Sequence, residues 1–155
     1  MSTIYIGADH AGWEYKESLE LYLSQKGYAV VDKGDIVLNP TDDYPEFGYA
    51  VAKAVAEETR NRGILLCGNA QGICITANKV RGIRAATGFN EYAAKSSRED
   101  DDTNIICIPA RATTFEDTKT IIETWLTTPF SGEERHVRRL KKLAEIEEME
   151  FGFGV

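Results

Sequence analysis

The residues best suited to chemistry are concentrated in one stretch, Leu65-Leu66-Cys67-Gly68-Asn69-Ala70-Gln71-Gly72-Ile73, where an apolar run meets a cysteine and then a turn bracketed by glycines. Gly68 and Gly72 allow the backbone to turn tightly, and a helix beginning near Gln71 would aim its free N–H groups into that turn. The pattern is that of a cradle for an oxyanion or a phosphate. At a helix amino terminus the Cys67 thiol is expected to fall toward neutrality and serve as a proton acceptor; a buried cysteine closing a strand is the other reading, and the residues alone leave both open. A second polar turn, Gly7-Ala8-Asp9-His10-Ala11-Gly12, also follows an apolar run and precedes a helical pattern. There His10 is either a proton-transfer group oriented by Asp9 or a hydrogen-bonded structural histidine. A third cluster lies near the carboxyl end, where Arg135 and Arg139 share a helical face at i, i+4 with His136 beside them. Paired guanidinium groups grip phosphate in a forked geometry, and a solvated basic face is the alternative.

Several classes of chemistry are disfavoured. Neither GxxxxGK[ST] nor GxGxxG occurs at these turns, so nucleotide binding lacks its signature. Two histidines and three scattered cysteines, Cys67, Cys74 and Cys107, do not make a metal site, and no metal or cofactor is expected. A formal charge of −7 works against nucleic acid and anionic membranes as partners, leaving a small anionic ligand drawn by a local basic cluster. No basic segment followed by a long apolar stretch opens the sequence, and no run of membrane-spanning length occurs; a cytoplasmic protein with reduced thiols is expected.

The elements that must position these residues follow from periodicity. Short apolar runs at Thr3–Ala8, Tyr28–Lys33, Gly63–Gly68, Gly82–Thr87 and Asn104–Ala110 alternate with segments of longer period. Trp13, Leu19, Tyr22 and Leu23 mark one helical face, with Gly27 as the stop. Phe47, Val51 and Val55 mark another after Pro45, and Thr113 with Glu116 has the spacing of a capping box ahead of Ile121, Ile122, Trp125 and Leu126. Strands joined by helices are parallel, and right-handed crossovers place helices on both faces. The expected fold is therefore α/β, a Rossmann-like, doubly wound, five-stranded parallel sheet, with 1–155 as a single domain. Glu133 to about Glu150 forms an appended helix with Val137, Leu140, Leu143, Ala144 and Ile146 as its apolar stripe; it lies on its own domain or crosses to a partner. The tail containing Phe151 and Phe153 is expected to fray unless those rings find a groove.

Taken together, "GADHAG", "DYPEF", "GILLCGNAQGICITANKVRGIRAA", "SREDDDTN" and "RHVRR" resemble, in order and over nearly the whole chain, the ribose-5-phosphate isomerase B and galactose-6-phosphate isomerase family. The resemblance implies a homodimer, or a tetramer, with active sites at the subunit interface, residues 131–150 reaching the partner. It also implies metal-independent interconversion of aldose and ketose phosphates. By position, Cys67 resembles the base that moves a proton through an enediolate, with Asn69 and the loop N–H groups of Gly68, Ala70 and Gly72 around the oxygen. Asp9, His10 and Tyr44 resemble sugar-contacting positions, and Arg111, Arg135, His136 and Arg139 resemble those around the phosphate, the last three from the partner. Two departures stand out. Asn69-Ala70 replaces the family's hydroxyl residue and glycine, and Asp100 occupies the catalytic position of a ring-opening histidine, followed by Asp101 at a substrate-binding position. Ile73 stands where some branches carry a glutamate base. A binding or regulatory homologue, or an isomerase of an unphosphorylated or different sugar, is the alternative.

Overall fold

The computed structural model describes residues 2–152, so Phe153 lies outside the described residues. Eleven elements alternate in the expected manner: β1 (Thr3–Ala8), α1 (Trp13–Gln25), β2 (Ala29–Asp32), α2 (Tyr44–Ala56), β3 (Arg62–Cys67), α3 (Gln71–Ala77), β4 (Ala85–Thr87), α4 (Glu91–Asp101), β5 (Ile105–Pro109), α5 (Phe115–Thr127) and α6 (Glu134–Phe151). The five strands form one parallel sheet in the order β2-β1-β3-β5-β4. β1 lies beside β3 in the register Ala8↔Leu66, which brings the two polar turns together.

Alternation along each strand divides the core in two. Ile4, Ile6, Ile64, Leu66, Ile106 and Ile108 face Leu19 and Leu23 of α1, Ala94 of α4 and Ile121, Ile122 and Trp125 of α5. Leu65, Cys67, Ile105 and Cys107 face the opposite layer, with Phe47, Val51 and Val55 of α2 and Ile73 and Ala77 of α3. Thus α1 leaves β1 toward one face and α3 leaves β3 toward the other, so a crevice opens between the two strands at their carboxyl ends, where ligands of such sheets bind.

Local signals account for most boundaries. Gly27 ends α1 at φ +89°, a left-handed conformation natural to glycine, and Pro45 lies in the first turn of α2. The cap of α5 is one residue later than its spacing predicts: Thr114, not Thr113, accepts from the Asp117 N–H at 3.1 Å, and its hydroxyl donates to the Asp117 carboxylate at 2.8 Å. Thr113 instead donates to the Pro109 carbonyl at 3.0 Å. No helix among the described residues is long and apolar enough to cross a membrane.

Helix α6 is unlike the others. Of its 18 residues only His136 is buried, while Val137, Leu143 and Ile146 remain about half exposed. It is tied to the body through Glu147, which accepts from the Gly82 N–H at 2.8 Å, and through the Gly152 carbonyl, which accepts from Arg81 at 2.7 Å. Phe151 reaches a groove between α6 and the β4 side of the sheet but stays half exposed.

Candidate active site

The crevice is built around a contact between residues 58 apart in sequence. Cys67 ends β3, Asp9 follows β1, and the Cys67 thiol donates to Asp9 Oδ2 at 3.1 Å. Asp9 Oδ1 accepts from the N–H groups of Ala11 (3.0 Å) and Gly12 (3.3 Å), so both carboxylate oxygens are engaged while the residue is 6% exposed. The close approach of the β1–α1 turn to β3 depends on Gly12, because a Cβ there would lie 2.7 Å from the Leu66 backbone. Burial, and then the neighbouring Asp9 carboxylate, push the Cys67 thiol up to about 11, against the opposing pull of the Gly68 and Ala70 N–H groups. The sequence expectation of a thiol lowered toward neutrality is corrected here: the loop amides act in the predicted direction, but desolvation and a like charge outweigh them. The thiol that is drawn down is Cys74, to about 7, chiefly through a hydrogen bond from Cys107.

The turn itself keeps the shape expected of a glycine-bracketed cradle. Ala70 occupies the left-handed region at φ 63°, ψ −9°, a conformation that costs a residue with a Cβ about 1–2 kcal/mol. Asn69 Oδ1 accepts from the Gln71 N–H at 3.1 Å, so this amide, expected to face a ligand, is satisfied within the loop. The Asn69 amide hydrogens are left to donate instead. Gly72 lets the Tyr44 ring lie against α3, since a Cβ at position 72 would sit 2.5 Å from Tyr44 Cζ. Arg111 follows β5, its N–H donating to the Gly68 carbonyl at 3.1 Å and its guanidinium lying over Gly68. Gly68, Asn69, Gln71, Phe89 and Arg111 line a cleft of about 400 Å³ beside the turn.

His10 stands next to Asp9 with its ring Nδ1 2.7 Å from Asp42 Oδ1, and its backbone N–H donates to the same oxygen at 3.0 Å. The Asp42 side chain is 4% exposed and the His10 side chain 36%, so the acid is sequestered while the imidazole stays partly exposed on the β1–α1 turn. Asp42 was not visible in the sequence as a site residue. It stands on the β2–α2 loop, 32 residues from its partner, and no motif marks it.

The remaining candidates lie elsewhere in the same subunit. Asp100 and Asp101 end α4, which delivers the chain to the amino end of β5, while Arg111 and Cys67 follow the carboxyl ends of β5 and β3. The length of β5, about 13 Å, separates the two levels. His136 packs at the amino end, with Nδ1 2.7 Å from Ser131 Oγ and Nε2 3.5 Å from Asp100 Oδ1. Arg135 donates to His136 Nε2 at 3.1 Å and pairs with Glu133 at 3.0 Å; Arg139 is exposed on the same helix. One chain therefore assembles Asp9, His10, Tyr44, Cys67, the loop and Arg111, and does not bring Asp100, Asp101, Arg135, His136 or Arg139 to them.

The comparison with known proteins fits this arrangement. The model of the ribose/galactose isomerase family matches residues 4–143. The chain belongs to the ribose/galactose isomerase family. As a member of that family it is 38% identical to ribose-5-phosphate isomerase B of Escherichia coli over 148 residues, 96% of this chain and 98% of that protein. The ribose-5-phosphate isomerase B structure from Clostridium thermocellum matches with a TM-score of 0.90 at 43% identity, covering 95% of this chain and 98% of that one. The Mycoplasma genitalium enzyme, solved with bound ribulose 5-phosphate, matches with a TM-score of 0.92 at 35% identity, covering 94% and 96%. In this member of the family, at the Asn69-Ala70 departure, Ala70 adopts the left-handed conformation and the Asn69 side chain closes the turn.

Proposed function

We propose that the chain interconverts an aldose phosphate and a ketose phosphate, of the ribose 5-phosphate to ribulose 5-phosphate type, through an enediolate and without a metal. The observation that carries the reading is the Cys67–Asp9 pair at the β1–β3 crevice, with the Gly68 and Ala70 N–H groups turned toward the sulfur. An open-chain sugar whose C1 and C2 straddle Cys67 gives up a proton from C2 to the thiolate and receives it at C1. The hydroxyl proton passes from O2 to O1, so that the carbonyl moves from C1 to C2. Asp9 accepts the thiol proton as the thiolate forms, and the loop amides with the Asn69 side chain hold the enediolate oxygen. Tyr44 and His10 contact the sugar, and Arg111 lies beside the crevice.

The phosphate clamp comes from a second subunit in this reading. Arg135, His136 and Arg139, with Asp100 and Asp101, sit at the wrong end of the sheet to serve their own Cys67. The half-exposed apolar stripe of α6 supplies a surface for a homodimer, with residues 131–150 as the crossing arm. In this reading 1–155 is one domain. The test is a panel of pentose and hexose phosphates assayed in both directions, with Cys67→Ser beside the parent. We expect one phosphate to be turned over and Cys67→Ser to lose about 10²-fold or more. A Cys67→Ser variant within about threefold of the parent removes the thiol from the mechanism.

A further inference from the structure

We propose that His10, oriented by Asp42, opens the sugar ring in this chain. The inference rests on the isomerase reading above and assigns a step that Cys67 cannot perform. An aldose phosphate that closes to a ring must be opened before C2 can lose its proton, and opening needs one group that accepts a proton from the anomeric hydroxyl and returns one to the ring oxygen. Such a group must exchange protons readily near neutral pH.

The crevice holds few candidates. The Cys67 thiol is committed to the transfer between carbons. Asp9 has both oxygens engaged, one by the thiol and one by the Ala11 and Gly12 N–H groups. The Tyr44 ring is held against Gly72 of α3. Asp100, 3.5 Å from His136 Nε2, would reach the crevice only from a second subunit and is the competing assignment that the test below separates. The chain has two histidines, and His136 is buried with both ring nitrogens near partners.

His10 has the required geometry. A carboxylate only accepts, so Asp42 fixes the Nδ1–H tautomer and leaves Nε2 as the acceptor; Nε2 makes no hydrogen bond among the described residues. The backbone N–H of His10 donates to the same Asp42 oxygen and so holds the carboxylate beside the ring. In the step, Nε2 takes the proton of the anomeric hydroxyl and the freed electron pair forms the C1 carbonyl. The bond from C1 to the ring oxygen breaks with its pair on that oxygen, which is then protonated by the imidazolium. Both oxygens are bonded to C1, so one nitrogen reaches both, and His10 ends neutral as it began. Asp42 acts as a positioning residue, holding tautomer and orientation.

The test compares two substrates: the best aldose phosphate of the panel, and its deoxy analogue lacking the hydroxyl that closes the ring, which stays open. His10→Gln, Asp42→Asn, Asp100→Asn and Cys67→Ser are assayed on both after circular dichroism confirms folding. We expect His10→Gln to lose at least about 30-fold more kcat/KM on the ring-forming substrate than on the open-chain analogue. Asp42→Asn should show the same selectivity at about 10-fold or more, a discrimination that a general structural weakening would not produce and that stands if His10→Gln does not fold. Cys67→Ser should lose on both substrates alike. Equal losses on both substrates in His10→Gln and Asp42→Asn, or selective loss confined to Asp100→Asn, overturn the assignment. A parent enzyme that turns over neither substrate overturns the isomerase reading itself, and this inference with it.

Discussion

The two ends of the sheet carry similar chemistry arranged to opposite effect. At the carboxyl end, Asp9 pairs with Cys67 and His10 with Asp42, and the imidazole Nε2 and the Asn69 amide hydrogens make no hydrogen bond among the described residues. At the amino end, His136, Ser131, Asp100, Arg135 and Glu133 mostly satisfy one another. In the shared-site reading, the first arrangement is half of a site and the second is a store of basic groups that serves a neighbouring copy. In that reading, a reaction needing both a base and a phosphate clamp is divided between two copies of the chain.

The largest effect that would break this comparison comes from mixing subunits. Cys67→Ser and Arg139→Ala each damage a different half of a shared site, so a mixed dimer contains one doubly damaged site and one intact site. Activity should reappear when the two weak parents are mixed with verified exchange. If none returns, base and clamp belong to one chain. Taken alone, Arg139→Ala removes a charged hydrogen-bond donor worth about 1.5–3 kcal/mol, so sugar-phosphate binding measured by calorimetry should weaken about 10-fold or more. Binding of the unphosphorylated sugar should hardly change.

A smaller effect sharpens the picture of the carboxyl end. A methyl group on Gly12 meets the Leu66 backbone, which cannot yield, whereas one on Gly72 meets the Tyr44 ring, a partly exposed side chain that can. Gly12→Ala should cost about 1–3 kcal/mol in urea unfolding, and Gly72→Ala less than about 1 kcal/mol while weakening sugar-phosphate binding. Equal stability losses would show that the β1–α1 turn is not pressed against β3 as described.

The smallest effect is electrostatic. With Cys67 at about 11, its thiolate fraction rises as pH rises toward that value, so alkylation by iodoacetamide, resolved by peptide mass spectrometry, should be slow at neutral pH and climb in the alkaline range. Asp9→Asn removes a negative charge beside the sulfur and should move the climb to lower pH. Cys74, at about 7, provides a reference thiol that reacts earlier. A Cys67 profile unchanged by Asp9→Asn would remove the carboxylate as a cause.

Much of this architecture is legible in local sequence. Strand runs, the Gly27 stop, Pro45 and the two polar turns follow from periodicity and turn chemistry, and parallel pairing then places Asp9 beside Cys67. What escapes is set by distance along the chain. The Cys67 shift comes from burial in the folded core and then from a carboxylate 58 residues away, and Asp42 meets His10 across 32 residues, so neither has a signature in its own neighbourhood. The capping position of α5 slips by one because Thr113 and Thr114 are both competent, and the Pro109 carbonyl claims the first. Asn69 is found as a candidate, but its turn-closing bond to the Gln71 N–H is not, because a side chain that both closes a turn and lines a cleft reads from sequence only as polar.

A helix that buries one residue in 18 is held weakly by its own domain. In the shared-site reading, mass action then governs more than stability. As enzyme is diluted below the dissociation constant of the dimer, each crevice loses its phosphate clamp at the same moment that α6 loses its cover. Specific activity thus becomes a function of enzyme concentration, and substrate, by bridging base and clamp, pulls the subunits back together.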